Sequence, residues 1–160
     1  MPADPTSWST ADLCDAHEGT IGACTGQFTL YGGHRAFRGT VATVRCEDDN
    51  VLARQAMSEP GAGRVLVVDG GGSLRCALMG DQMAEVALAN GWAGVVVNGA
   101  VRDTALLRRL PLGVAALGSN PLRSGKQGTG RRDGEVSFGG VTFRPGATVY
   151  VDEDGVVVLP

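Results

Sequence analysis

The chain has 160 residues, an apolar fraction of 43% and a formal charge of −3, which indicate a single globular domain spanning residues 1–160. This composition excludes collagen-like, mucin-like and broadly disordered chains, and no apolar run approaches the ~20 residues that cross a bilayer. A sequence pI near 5.3 argues against a partner such as DNA that is bound through net charge. Residues 1–9 lack a secretory signal and are expected to be flexible, so we expect a cytoplasmic protein.

Cysteine and histidine usage limits the kinds of metal site that the chain can build. The four cysteines, at positions 14, 24, 46 and 76, form no C-x-x-C pair, which predicts reduced, packed thiols rather than a zinc ribbon or a redox motif. The two histidines are too few for a His-based site. Any bound metal is therefore expected on oxygen ligands, which favours Mg²⁺, Mn²⁺ or Ca²⁺ over structural zinc.

Hydrophobic periodicity predicts β-rich ends and alternating strands and helices in the middle of the chain. The strongest helix signal runs from Asp81 to Asn90, with Gln82, Glu85 and Ala89 facing outward and Gly91 as the C-cap. In chain order the predicted elements are a helix from Ser9 or Thr10 to His17, strands at 27–31 and 37–46 around a Gly32-Gly33 turn, a helix at 51–57, strands at 64–68 and 76–79, the helix at 81–90, a strand at 94–97, a helix at 104–110, a strand at 113–117, a loop at 118–132, and strands at 135–138, 141–143, 148–151 and 156–159. This order predicts an α/β domain with layered sheets rather than a doubly wound fold.

The first candidate site is the strand-to-helix junction Gly80-Asp81-Gln82-Met83. The start of a helix presents unpaired backbone N–H groups and the positive end of the helix dipole, which together bind a carboxylate or a phosphate. Asp81 alternatively serves only as an N-cap or first-turn acid.

The second candidate is Arg102-Asp103, which follows the buried strand at 94–97. Ligands in α/β proteins usually lie at the carboxyl ends of strands. An arginine beside an aspartate there combines an anion clamp with a ligand for a hard cation. A structural ion pair, or a helix cap by Asp103, is the alternative interpretation.

Three other segments carry weaker signals. Asp69–Gly72 lacks the G-x-G-x-x-G spacing of a dinucleotide site, and Ser124–Lys126 lacks the spacing of a P-loop. Residues 152–154 are interpreted as part of a hairpin. A solvated basic loop is predicted, with contact to an anion or RNA as the alternative, for Arg123, Lys126, Arg131 and Arg132.

The two main candidates together match the motifs of a known family. The motifs are D-x20-R-D (Asp81 to Asp103), G-G-x-x-x-F-x-G (Gly32 to Gly39), T-V-R-C (Thr43 to Cys46), G-W-x-G-x-V-x-N-G-A-V-R-D (Gly91 to Asp103) and F-G-G-V-T-F-x-P-G (Phe138 to Gly146). With them the chain resembles a short member of the RraA-like family from about Thr10 to Leu159. That family contains the regulator of ribonuclease E activity and the metal-dependent 4-hydroxy-4-methyl-2-oxoglutarate aldolases.

The resemblance implies a fold, an assembly and a set of site residues. The implied fold is a swivelling β/β/α layered sandwich, assembled as a ring-shaped homotrimer with the active site near a subunit interface. Asp103 is implied to hold Mg²⁺ or Mn²⁺, and Arg102 to bind the substrate. The backbone N–H groups of Gly80, Asp81, Gln82 and Met83 are implied to receive a pyruvate-like carboxylate, while Asp81 orients or deprotonates a water.

The implied activity is that of a metal-dependent (class II) aldolase or oxaloacetate decarboxylase, a lyase that acts on 2-keto acids. Both reactions pass through a pyruvate enolate, whose negative charge a divalent cation and Arg102 stabilise. The one lysine of the chain, Lys126, is expected in a polar loop away from the strand ends, which argues against a Schiff-base mechanism.

The chain departs from the family pattern in two places, and the family also offers an alternative function. Aldolase members tend to carry an acid where this chain has Leu106, and often a longer tail where this chain ends at Pro160. We therefore expect weak aldolase activity and relatively better oxaloacetate decarboxylation. The alternative is a non-catalytic regulator that binds and inhibits an RNA-degrading enzyme of the ribonuclease E type. We expect no membrane partner and no adenosyl-methionine site.

Overall fold

The computed structural model describes residues 7–160, which form four helices and twelve strands. The helices are α1 (Thr10–Ala16), α2 (Val51–Met57), α3 (Asp81–Ala89) and α4 (Thr104–Leu107). The strands are β1 (Gly22–Ala23), β2 (Thr29–Leu30), β3 (Phe37–Arg45), β4 (Val65–Asp69), β5 (Ala77–Met79), β6 (Gly94–Val101), β7 (Gly113–Ser119), β8 (Arg131–Arg132), β9 (Val136–Phe138), β10 (Val141–Phe143), β11 (Thr148–Asp152) and β12 (Gly155–Leu159).

The long strand β3 belongs to two sheets. Its first half, residues 37–40, pairs antiparallel with β11, and its second half, residues 41–45, pairs parallel with β4. The antiparallel side continues through β12 to β1, and the parallel side continues through β6 to β7, with β2 at its far edge. Strand β5 pairs with β6, while β9 and β10 form a separate hairpin.

The parallel sheet is buried on both faces, which produces two hydrophobic cores. On β4, Leu66 and Val68 pack in a core with side chains of α2 and α3. Val65 and Val67 of the same strand pack in a second core with β9–β12. Successive side chains of a strand point to opposite faces, so an apolar run such as this one favours a central parallel strand. The resulting helix, sheet and sheet layers confirm the predicted layered α/β fold.

Phe37 explains two of the many glycines. Gly94 of β6 and Gly113 of β7 are register partners, and a Cβ atom on either would overlap the ring of Phe37. Phe37 is only 6% exposed. The two missing side chains therefore form the slot in which this ring packs against the sheet.

Most predicted elements are confirmed, but the predicted 118–132 loop contains the short strand β8, and two further predictions are wrong. The Gly32-Gly33 turn does not join paired strands, because β2 pairs with β7 instead of β3. Gly33 lies along the backbone that leads into β7, where its N–H donates to the carbonyl of Leu110 at 2.9 Å. The helix predicted at 104–110 ends at Leu107, and the chain continues to Leu110 in tighter turns, in which the N–H of Arg109 donates to Leu106 and that of Leu110 to Leu107.

The chain near the N-terminus is held by contacts to the β11–β12 hairpin. The ring of Trp8 meets that of Tyr150 edge-on, with centroids 5.2 Å apart, and Ser9 Oγ caps α1 by accepting from the N–H of Asp12. Residues 1–9 were expected to be flexible; of these, residues 1–6 lie outside the described residues.

Within residues 7–160 no helix is long and apolar enough to cross a membrane. All four cysteines are free thiols.

We predict that Phe143→Ala strongly destabilises the second core. Phe143 is fully buried and stacks on Phe138 with ring centroids 4.6 Å apart. Removing a buried phenylalanine ring costs about 3–5 kcal/mol. Urea denaturation at one protein concentration measures the loss, with Phe28→Ala as the control, since Phe28 is only half-buried. Equal losses in the two variants would contradict this account of the core.

The Asp152 carboxylate predicts a pH dependence of stability. Partial burial raises its pKa, but bonds from Thr10 and from the N–H of Asp154 outweigh burial, and the pKa lies below the ordinary value of 3.8. A carboxyl with a lowered pKa in the folded state stabilises the protein above its unfolded pKa, and this contribution is lost as the pH falls through the folded pKa.

We therefore predict that Asp152→Asn lowers the free energy of unfolding at neutral pH by about 1–3 kcal/mol, the cost of leaving part-buried hydrogen-bonding groups without their partner. The difference from the unaltered protein shrinks as the pH falls below 3.8. Urea denaturation as a function of pH measures both effects. A difference that stays constant from neutral to acid pH would show that the ionised carboxylate is not responsible.

Candidate active site

The first part of the site is the junction between β5 and α3. Gly80 is the N-cap residue of α3 and has extended backbone, with φ −138° and ψ −157°. The helix begins at Asp81, and its buried positions include Ala84 and Ala87, small residues that let it lie close to the sheet. As predicted, Gln82, Glu85 and Ala89 are exposed. The N-terminus of α3 is therefore fixed at the carboxyl end of β5.

The second part is the carboxyl end of β6. The N–H of Arg102 donates to the carbonyl of Met79 at 2.9 Å, which fixes the end of β6 beside the end of β5. Asp103 then takes the left-handed conformation, with φ 58° and ψ 40°, a region that aspartate tolerates better than most residues. This turn lets the chain leave the strand and begin α4.

The two parts meet at the Asp103 carboxylate. Asp103 Oδ2 accepts from the N–H of Asp81 at 3.2 Å and lies 3.9 Å from Arg102 Nε. A Cβ atom on Gly80 would overlap this same oxygen, so residue 80 must lack a side chain for the carboxylate to lie there. The structure thus brings together the two candidates that are twenty residues apart in sequence.

These groups line an open cleft of about 490 Å³. The side chains of Arg102 and Asp103 are 42% and 34% exposed, so both are accessible to a ligand. The lining residues are Asn50, Arg54, Ala77, Met79, Gly80, Asp81, Gln82, Met83, Arg102, Asp103, Arg123 and Lys126. All of the predicted site residues are therefore in one place, together with four residues from α2 and the 118–132 loop that were not predicted.

Lys126 and Arg123 of the predicted basic loop line the cleft, although both residues are exposed. Lys126 Nζ donates to Asn50 Oδ1 at 2.6 Å, and the Asn50 amide in turn donates to the carbonyl of Leu78 at 3.0 Å. The lysine is therefore at the cleft, and the expectation that it lies away from the strand ends is wrong. The 118–132 loop follows β7, whose carboxyl end is at the same sheet edge as that of β6; that adjacency was the available signal.

The cleft is positively charged at its Lys126 side. Partial burial of the amine, together with Arg54, Arg102 and Arg123, lowers the pKa of Lys126, and the Asp49 carboxylate acts in the opposite direction. Such clustering of cations favours an anionic ligand. In contrast, Arg132 outside this cleft pairs with Glu59, with Nη2 and Oε2 2.6 Å apart.

The remaining sequence candidates have structural roles. Asp69 is buried, and its carboxylate accepts from Arg45 Nη1 at 2.7 Å, from the N–H of Gly71 and from Asn98 Nδ2. This carboxylate thus holds the glycine turn to the neighbouring strand. The acidic residues 152–154 form the β11–β12 hairpin, in which Asp152 pairs with Gly155. Within residues 7–160 no group of three His, Cys, Asp or Glu side chains is placed to hold a metal ion.

A family model described as "RraA-like: Aldolase/RraA" matches residues 10–158. The chain belongs to the RraA-like family. A protein of Aromatoleum aromaticum named "Putative 4-hydroxy-4-methyl-2-oxoglutarate aldolase" is 54% identical over 151 residues, which are 94% of this chain and 95% of that protein. A protein of Laribacter hongkongensis with the same name is 52% identical, with the same two coverages.

Two solved structures share the fold of this chain. The RNA-processing inhibitor RraA from Thermus thermophilis has a TM-score of 0.92 and 46% identity, and the match covers 96% of this chain and 93% of that one. A protein of Geobacillus kaustophilus, described as an S-adenosylmethionine:2-dimethylmenaquinone methyltransferase, has a TM-score of 0.93 and 49% identity, with coverages of 95% and 94%. Proteins with three different functional names thus resemble this RraA-like chain closely.

We predict that Gly80→Ala displaces the Asp103 carboxylate from the N-terminus of α3. The added methyl group overlaps Asp103 Oδ2, and overpacking of this kind costs about 1–3 kcal/mol. The Asp81 amide resonance reports the lost hydrogen bond in a ¹⁵N–¹H spectrum. Gly134→Ala is the matched control, because its Cβ would meet only Arg131, at 3.8 Å. An unchanged Asp81 resonance in Gly80→Ala would contradict this arrangement.

Proposed function

We propose that this RraA-like protein is a divalent-metal-dependent lyase that acts on 2-keto acids through a pyruvate enolate. The observation that carries the proposal is the convergence of Asp103, Arg102 and the N-terminus of α3 in one cleft. The aldolase names of the relatives support the same reaction class. The proposed reactions are decarboxylation of oxaloacetate and retro-aldol cleavage of 4-hydroxy-4-methyl-2-oxoglutarate.

The groups of the cleft match the charges that this chemistry requires. The first N–H groups of a helix have no intrahelical partner, so those of Gln82 and Met83 bind the carboxylate next to the keto group. Arg102 places a positive charge at the enolate oxygen as the C–C bond breaks. Asp81 holds the water that returns a proton to the methylene carbon of the enolate. In oxaloacetate decarboxylation the bond to the distal carboxylate breaks and CO₂ leaves.

The donor set at Asp103 fits a weakly held Mg²⁺ or Mn²⁺. Mg²⁺ commonly takes only one or two protein carboxylates and completes its shell with water and substrate oxygens. Asp103 supplies one carboxylate, and the absence of a Cβ on Gly80 leaves room for it. A divalent cation held there supplies positive charge that stabilises the enolate.

The basic side of the cleft favours a substrate with a second carboxylate. The cleft is lined by Arg54, Arg123 and Lys126 in addition to Arg102. Its acidic lining residues are Asp81 and Asp103. Charge-assisted hydrogen bonds from guanidinium and ammonium groups to carboxylates are stronger than neutral ones. A keto diacid therefore fits the cleft better than pyruvate alone does.

Two features bear on the balance of activities and on assembly. Leu106 on α4 is 46% exposed and supplies no acid for a hydroxyl-bearing substrate, so we propose that decarboxylation exceeds aldol cleavage.

We also propose a homotrimer in which a neighbouring subunit covers the exposed side chains of Leu74 and Leu122, which are 50% and 61% exposed. Both leucines contact Asn120, whose amide bonds to their backbone.

The test is release of pyruvate from oxaloacetate, corrected for the uncatalysed effect of the metal. We predict turnover with Mg²⁺, loss of turnover with EDTA, and loss of metal-dependent turnover in Asp103→Asn. Arg102→Gln lowers kcat by about 10²–10³-fold, as for removal of one group that stabilises transition-state charge. The matched control is Asp133→Asn, because Asp133 is also left-handed, with φ 64°, and does not line the cleft.

The same assay distinguishes the alternative regulator. An enzyme depends on Asp103 and on a divalent ion, whereas a docking surface for an RNA-degrading enzyme keeps its affinity in Asp103→Asn. The name of the Thermus thermophilis relative is the observation that favours this second function. No turnover above background from folded protein, with unchanged inhibition of a ribonuclease by the Asp103→Asn variant, would overturn the lyase proposal.

A further inference from the structure

Asp49 makes hydrogen bonds to two separate segments of the chain. It is only 4% exposed and lies just before α2. Its carboxylate accepts from the N–H of Val51 at 3.2 Å, from the N–H of Gln127 at 2.5 Å and from the N–H of Gly128 at 3.1 Å. The first bond is a local turn onto the first residue of α2, but the other two reach 78 and 79 residues along the chain, which a local turn does not require.

These bonds fix the backbone on the C-terminal side of Lys126. On its N-terminal side, the N–H of Gly125 donates to the carbonyl of Asp48 at 2.9 Å. Lys126 therefore lies between two attachments to the same short segment, one through backbone atoms and one through the Asp49 carboxylate. Its amine reaches Asn50, the residue after Asp49.

We propose that Asp49 is a positioning residue that holds the Lys126 amine in the cleft. The inference rests on the proposed function in one respect: the keto diacid proposed above is the ligand that this amine would bind. Asp49 does not line the cleft itself, so it acts through the 125–128 segment. A residue that only turned the chain into α2 would leave the 125–128 segment in place.

Because several charged groups surround Lys126, the pKa of its amine depends on where the 125–128 segment lies. Partial burial, then Arg54 of α2, Arg102 at the end of β6 and Arg123 of the loop, lower the pKa of Lys126. Asp49 raises this pKa, and its effect is the smallest of the five. Asp81 and Asp103 are the acids of the same cleft. Release of the segment removes the larger effects, whereas loss of the Asp49 charge alone removes the smallest one.

The experiment is the titration of Lys126 in Asp49→Asn, in the full-length protein. Because the chain has one lysine among its 14 basic residues, incorporation of [¹³Cε]lysine gives a single resonance whose shift follows the pH. The asparagine keeps one acceptor oxygen but presents an NH₂ group to the second backbone donor, so the segment is released. We expect the pKa of Lys126 to rise toward its ordinary value of 10.5.

The opposite result is equally specific. If the segment stays in place, the variant loses only a nearby negative charge, and the pKa of Lys126 falls. A lowered or unchanged pKa would therefore overturn the positioning role. Asp152→Asn is the matched control, because Asp152 also accepts several bonds from a distant part of the chain but is not at the cleft; we expect it to leave the lysine titration unchanged.

Turnover provides a second readout that separates this inference from the proposed function. If the unaltered protein releases pyruvate from oxaloacetate, Asp49→Asn should lose kcat/KM by the same factor as Lys126→Ala, while Asp152→Asn keeps it. Retention of kcat/KM in Asp49→Asn, with loss in Lys126→Ala, would overturn the inference. If the unaltered protein shows no turnover, the lyase proposal fails and the lysine titration still tests the role of Asp49.

Should Asp49→Asn fail to fold, hydrogen exchange in the unaltered protein tests the same bonds. The amides of Gln127 and Gly128 should exchange slowly compared with free peptide, because the Asp49 carboxylate holds them. Exchange of both amides at the free-peptide rate would overturn the proposal.

Discussion

Strand β3 pairs with two different sheets along its length, and both hydrophobic cores depend on that double pairing. Its antiparallel half carries Phe37 over the Gly94–Gly113 slot, which closes the second core. Its parallel half ends beside β4, just before the acidic residues 47–49 that lead to α2. The order of the parallel strands then places the ends of β5, β6 and β7 along one edge, where the cleft forms. The site is thus a consequence of how the layers are joined.

The sequence predicted those features that depend on local patterns. The apolar runs at 64–68 and 94–97 predicted buried strands because β-branched side chains suit a sheet that is covered on both faces. The helix at 81–90 was predicted because its polar stripe and Gly91 mark its face and its end. Asp81, Arg102 and Asp103 were recognised because a helix start and a strand end are local features with known chemistry.

Features that depend on long-range pairing were not predictable from local patterns. Strand β2 is only two residues long, and nothing in its pattern distinguishes an edge beside β7 from a hairpin with β3. Lys126 lies in a polar, glycine-containing segment, and its location depends on the bonds from Gln127 and Gly128 to Asp49, 78 and 79 residues away. A carboxylate that binds distant backbone N–H groups has no signature in sequence spacing.

The charge distribution around the cleft has a consequence for how fast ligands arrive. The chain as a whole has a formal charge of −3, yet four cationic and two acidic side chains line the cleft. An anion is therefore repelled by the net charge of the protein at long distance and attracted by the cationic side chains of the cleft at short distance. Because these electrostatic interactions are screened within about 10 Å at 0.1 M salt, moderate ionic strength removes the long-range repulsion first. The association rate of a keto diacid should then pass through a maximum as salt is added, rather than fall steadily.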